Sequence, residues 1–135
     1  MYLADTSVFA RLSKTPVAAA FGPLAAAGAV ALCAPVVFEL GFAAQSGKDH
    51  EDLMERLLAF ASVPTSEADH RRALDLQAAL AARGQHRAIS LVDAVVAAVA
   101  EARGLTILHY DADFELIAGI TGQAQQWIVE RGTAD

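Results

Sequence analysis

The sequence predicts a single α/β domain, residues 1–135, with a mostly parallel central sheet and helices on both faces. Three observations predict it. Short apolar runs at residues 2–4, 30–33 and 106–109 alternate with longer helical patterns, and strands alternating with helices imply right-handed crossovers and a parallel sheet. Those runs are nearly all apolar rather than alternating, as in strands covered on both sides. The chain has 135 residues, 55% of them hydrophobic and 19% charged, with no linker, low-complexity tract or internal repeat. That is enough chain for one buried core and too apolar for disorder.

The elements follow in order. Tyr2-Leu3-Ala4 is a short strand ending at Asp5, and a helical turn runs from residue 6 to about 12. Residues 17–27 are alanine-rich and helical, with a break expected at Gly22-Pro23, because proline removes a helical hydrogen bond. Val30-Ala31-Leu32-Cys33 is a buried strand, and Pro35 suits the first turn of a helix running to about residue 46. Gly47-Lys48-Asp49 reads as a loop, followed by an amphipathic helix over 52–60. Residues 62–64 form a weak strand. Residues 66–83 form a helix with Ala73, Leu76 and Leu80 on one face. Gly84-Gln85-His86 breaks it. A nearly uncharged helix spans 90–103 and stops at Gly104. A strand over 106–109, a helix from 111 to about 118 and a strand over 126–129 complete the chain.

Charge and composition narrow the function. The net charge of -6 disfavours a protein that coats duplex DNA by counterion release, but it suits carboxylates gathered to hold a cation. The lone cysteine, Cys33, excludes an internal disulfide and suits a reducing compartment, hence a cytoplasmic protein. Residues 15–38 carry no charge, yet Pro16, Gly22, Pro23, Gly28 and Pro35 punctuate them, so no membrane span is expected.

Four carboxylates stand out. Asp5 directly follows the first strand, and Asp111 lies just past the strand ending at His109. In a parallel sheet, ligands bind beyond the carboxyl ends of the strands. Asp93 is the only charge between residues 91 and 100, whereas Asp69, in a matching Ser66-x-x-Asp69 helix start, sits among Glu67, His70, Arg71 and Arg72 and is expected to be solvated. Each of the three site aspartates could instead serve as a helix cap or first-turn charge. Glu39 is the only charge between Lys14 and Lys48. It lies mid-helix, beyond capping range, and a carboxylate among so many apolar residues needs a partner, an arginine or a cation. Nearby carboxylates repel by roughly 4 kcal/mol per pair at 4 Å and an effective dielectric near 20. A divalent ion offsets that. Oxygen ligands without a Cys/His cluster favour Mg²⁺ or Mn²⁺, and such a centre suits phosphodiester hydrolysis.

The ordered set Asp5-Thr6-Ser7, Glu39 in an apolar helix, Ser90-Leu91-Val92-Asp93 and Asp111-Ala112-Asp113-Phe114 resembles the PIN domain, specifically the VapC toxins of bacterial toxin–antitoxin pairs. The likeness covers the whole chain. It implies that Asp5, Glu39, Asp93 and Asp111 bind Mg²⁺, that Thr6 or Ser7 supplies a neighbouring hydroxyl, and that Asp113 is a secondary acidic position. It further implies RNA cleavage leaving a 3′-hydroxyl, a homodimer, and inhibition by a cognate VapB-like antitoxin. Arg11, Lys14, Arg83 and Arg87 are the candidate RNA contacts, and Tyr110 and Phe114 could stack on bases.

Two alternatives belong to other classes. Asp111-Ala112-Asp113 after a strand is similar to the nucleophile motif of haloacid-dehalogenase-like phosphatases. Those enzymes, like receiver domains, need a downstream lysine, and the only lysines here, Lys14 and Lys48, are upstream. A catalytically inactive PIN-like binding module is the other, and the intact acidic set argues against it. A thiol centre at Cys33 has no support beyond the presence of four histidines.

Overall fold

The computed structural model describes residues 1–135 and contains seven helices and one five-stranded sheet. The first half of the chain comprises β1 (Tyr2–Ala4), α1 (Thr6–Phe9), α2 (Thr15–Ala26), β2 (Val30–Cys33), α3 (Ala34–Phe42), α4 (Gly47–Leu57) and β3 (Ala61–Val63). The second half comprises α5 (Glu67–Ala81), α6 (Leu91–Arg103), β4 (Thr106–His109), α7 (Asp113–Thr121) and β5 (Gln125–Trp127). The sheet order is β3-β2-β1-β4-β5, and every pairing is parallel.

This order creates a switch point. From β1 the chain steps outward through β2 to β3, then returns to the far side of β1 to form β4 and β5. Right-handed crossovers therefore place α1–α4 on one face and α5–α7 on the other. The crevice between these two groups opens at the carboxyl ends of β1 and β4, which pair Leu3 with Ile107 and Ala4 with Leu108. One continuous core of 28 buried apolar residues fills both sides, with Leu3, Ile107, Leu108 and Phe114 among its largest members. No helix is long and apolar enough to cross a membrane.

Three local expectations change. α2 runs unbroken through Pro23. The carbonyl that loses its partner belongs to Ala19, on an exposed turn where water can satisfy it. Gly47-Lys48-Asp49 is the first turn of α4 rather than a loop, because the Ser46 hydroxyl accepts the Asp49 N–H at 3.1 Å and caps the helix. α3 correspondingly stops at Phe42. Asp69, expected in solvent, is buried. It pairs at 3.1 Å with Arg103, which α6 brings across from 34 residues away.

Candidate metal centre

Asp5, Asp93 and Asp111 converge at the switch point. Each offers a carboxylate oxygen within 4.8 Å of the others'. β1 delivers Asp5, whose backbone N–H continues the sheet by bonding to the Leu108 carbonyl at 2.9 Å. Asp111 stands two residues beyond β4. Asp93 is the third residue of α6, a helix buried on all sides from Ala94 to Ala100.

The capping roles that the sequence offered as rivals are present at Asp5 and Asp93, whereas Asp111 makes only a local bond ahead of α7, whose N-cap is Ala112. Asp5 Oδ2 accepts the Ser7 N–H at 2.9 Å, Asp93 Oδ2 accepts the Ser90 N–H at 3.2 Å, and Asp111 Oδ1 accepts the Asp113 N–H at 2.9 Å. The Ser90 hydroxyl accepts the Asp93 N–H at 3.1 Å, completing a capping box. Each cap engages one carboxylate oxygen and fixes the side chain's direction. The second oxygen keeps its lone pairs for a cation. Capping therefore does not exclude a cation-holding role for the same residues.

No cation of the protein neutralises this group; none of the five ion pairs includes Asp5, Asp93 or Asp111. Burial pushes the Asp93 carboxyl up to about 7, with Asp5 and Asp111 adding repulsion against its hydrogen bonds to Ser90. Burial also raises Asp5, opposed by bonds to Ser7 and Thr6 and helped by Asp111. Asp113 is half-buried at the edge and is raised by burial and by Asp111, with hydrogen bonding to Asp93 pulling it back. Asp69 is the contrast. Burial raises it, but the Ser66 backbone and hydroxyl and the Arg103 guanidinium outweigh burial and leave it below the usual carboxylate range. The same capping box thus yields opposite electrostatics, according to whether the group opposite is a guanidinium or a carboxylate.

Glu39 is not among the three converging residues. It is half-buried on α3 and accepts the Thr6 hydroxyl at 2.6 Å. Its partner within the protein is thus a hydroxyl rather than an arginine. Ser7 ties the strands' ends together, since its hydroxyl accepts the Tyr110 N–H at 2.9 Å.

The outer candidates divide. Arg11 lines a polar pocket of about 340 Å³ that includes Asp111. Lys14 is exposed at the start of α2, and Arg83 and Arg87 are exposed in the turn before α6; none of these three lines that pocket. Tyr110 and Phe114 are both buried, Phe114 in the core, so neither ring is free to stack on a base.

Sequence reasoning missed His109 as part of the centre. Its ring is fully buried, and Nδ1 accepts the Asp111 N–H at 3.0 Å. Nε2 must then carry the proton and donate it to Gln125 Oε1. Burial holds the imidazole below its usual range, so it stays neutral and keeps this tautomer. The signal was a polar residue closing an otherwise apolar strand, two positions before the aspartate.

The PIN domain family model matches residues 2–120. The chain belongs to the PIN-domain family, among its VapC members. It is 48% identical over 134 residues to a Mycobacterium tuberculosis protein named Ribonuclease VapC51, covering 99% of this chain and 97% of that one. Identity to Ribonuclease VapC21 of the same species is 40% over 134 residues, covering 98% of this chain and 97% of the relative. The fold matches a solved structure of VapBC2 from Rickettsia felis, described as bound to a DNA fragment from its promoter. The TM-score is 0.76 at 16% identity, over 93% of this chain and 97% of that one.

Proposed function

We propose that this protein is a divalent-metal-dependent endoribonuclease, the toxin of a VapBC-type pair. The observation that carries the reading is the trio of buried Asp5 and Asp93 with half-buried Asp111, which has no protein cation, in a chain 48% identical to a protein named a ribonuclease. The donor set fits Mg²⁺ or Mn²⁺: hard carboxylate oxygens, with no thiolate and no imidazole nitrogen among the three. Asp5, Asp93 and Asp111 would hold the ion. Glu39, bonded to Thr6, and Asp113, hydrogen-bonded to Asp93, are the further acidic positions of this reading. When bound, the ion supplies polarisation of a phosphate oxygen and a lowered pKa for water.

The chain's own residues prepare that centre. The Ser7 and Ser90 N–H groups aim Asp5 and Asp93. His109 pins the backbone of Asp111, and Asp113 N–H pins its carboxylate. Burial and the facing Asp5 and Asp111 hold the Asp93 carboxyl up near 7, and a cation held there would favour its ionised form. A phosphatase reading still lacks its lysine.

The same reading includes a VapB-like antitoxin that presents an arginine to the trio, since its fork can pair two carboxylate oxygens at once. It also includes a homodimer, supported by Phe38 and Phe42 of α3, which are 75% and 84% exposed. The cytoplasm is the compartment that the single free thiol suits. The test is cleavage of total RNA by purified protein, with sequencing of the new ends. Cleavage is expected with Mg²⁺ or Mn²⁺ and should be lost in excess chelator. It should also be lost in Asp5→Asn and Asp111→Asn. Full activity of metal-free protein would refute the reading.

A further inference from the structure

We infer that Arg11 and Arg131, held on the edge-to-face rings of Tyr110 and Trp127, form a phosphate subsite that positions the RNA backbone next to the Asp111 edge of the centre. The inference rests on the ribonuclease reading and adds where the substrate strand lies. A four-membered array carries it. The Arg11 guanidinium lies 4.5 Å from the centroid of the Tyr110 ring, and that of Arg131 lies 5.6 Å from the Trp127 ring. The two rings meet edge to face at 5.2 Å and 87°. Both arginines line the pocket that contains Asp111.

The array is fixed from beneath. The Tyr110 hydroxyl accepts the N–H groups of Gly132 and Ala134 at 2.8 and 3.0 Å and donates to Asp135 Oδ1 at 2.8 Å. Trp127 Nε1 donates to Glu115 at 2.8 Å. Arg11 donates one N–H to the Ser7 carbonyl at 3.3 Å, which leaves most of its five donors for a ligand. Rings that cannot turn hold the guanidinium planes in place before substrate arrives, and a planar fork suits phosphate oxygens.

The distribution of charge points to the same pair. Of the ten Lys and Arg, five are in ion pairs with carboxylates. Arg11 is outside those pairs, and it shares its pocket with a member of the trio. Arg131 has the longest pair, 3.5 Å to Glu115 between two side chains that are 63% and 46% exposed, which a phosphate can displace at little cost. The pocket's two arginines are balanced by Asp111 and Asp135. A divalent ion held by the trio would offset the Asp111 charge that faces these arginines and leave them freer for a phosphate.

The test measures binding of a fluorescein-labelled single-stranded RNA 12-mer by anisotropy, in chelator so that the RNA stays intact, across a salt series. For single strands the log–log salt slope falls by about 0.7 for each phosphate that is no longer neutralised. Arg11→Gln and Arg131→Gln should each lose that much and the double variant about twice that, with affinity weakened. Arg71→Gln, which sits in an exposed pair on α5, should keep the parent slope. Arg11→Lys and Arg131→Lys should keep the slope, because the charge remains. This pair also carries the test if a glutamine variant melts early. With Mg²⁺ present, the glutamine variants should raise KM more than they lower kcat. A double glutamine variant that is folded, binds with the parent slope and cleaves with the parent KM overturns the subsite while leaving the nuclease intact. A parent protein that neither binds nor cleaves RNA overturns both.

Discussion

The paired capping boxes make a sharp test of the electrostatics. Asp93→Asn and Asp69→Asn are near-isosteric, and each keeps an oxygen to accept the serine N–H, so both preserve the cap and remove only the charge. At Asp93 the folded carboxyl sits at about 7, against 3.8 for an ordinary aspartate, because burial and the Asp5 and Asp111 carboxylates oppose ionisation. The folded state therefore keeps a proton that the unfolded chain has released, and stability falls as pH rises from about 4 to about 7. That difference corresponds to at most about 4 kcal/mol above pH 7. In chelator at pH 8, Asp93→Asn should therefore be more stable than the parent by up to that amount. One kcal/mol is worth roughly 3–5 °C for a chain of this size. The advantage should shrink toward zero as pH falls to about 4. Comparing variant with parent at each pH cancels every other titrating group that the substitution leaves alone. Asp69→Asn should do the opposite, losing about 1–3 kcal/mol above pH 4, because it strands Arg103. Adding Mg²⁺ should reverse the first ranking, stabilising the parent by mass action and the variant less. Thermal melts over pH 4–8 read all of this. An Asp93→Asn variant less stable than its parent at pH 8 in chelator would refute the reasoning and return Asp93 to a simple cap.

Two other expectations are independent of that one. His109→Phe fits a ring beside Phe114 and Trp127, 5.1 and 5.0 Å away. It leaves the Asp111 N–H and Gln125 without partners, so stability should fall by about 1–3 kcal/mol and metal affinity, read by calorimetry, by about 10–100-fold. Gly104→Ala meets no atom within 4 Å, but it must adopt φ +64° at the end of α6. It should cost about 1 kcal/mol through backbone strain alone, with cleavage unchanged.

The parallel sheet, the buried α6 and the aspartates that converge were legible in the sequence, because each rests on local pattern: apolar runs too short for helices, serine caps, and aspartates at strand ends. Where local patterns conflicted, packing decided. Pro23 does not break α2, because the orphaned carbonyl faces water. Glu39, isolated in sequence, finds Thr6 at 2.6 Å. The sharpest case is Asp69 against Asp93. Their sequence contexts suggested a solvated charge and a buried one, yet both are buried, at 2% and 8% exposure. What separates them is Arg103 opposite one and two carboxylates opposite the other. The sequence by itself determined the secondary elements, their parallel assembly and the aspartates at the strand ends, since those follow from nearest-neighbour hydrogen bonding and apolar periodicity. Only the tertiary structure decided which charges face one another, because Coulomb energies and desolvation depend on distances between residues 18 to 106 positions apart along the chain.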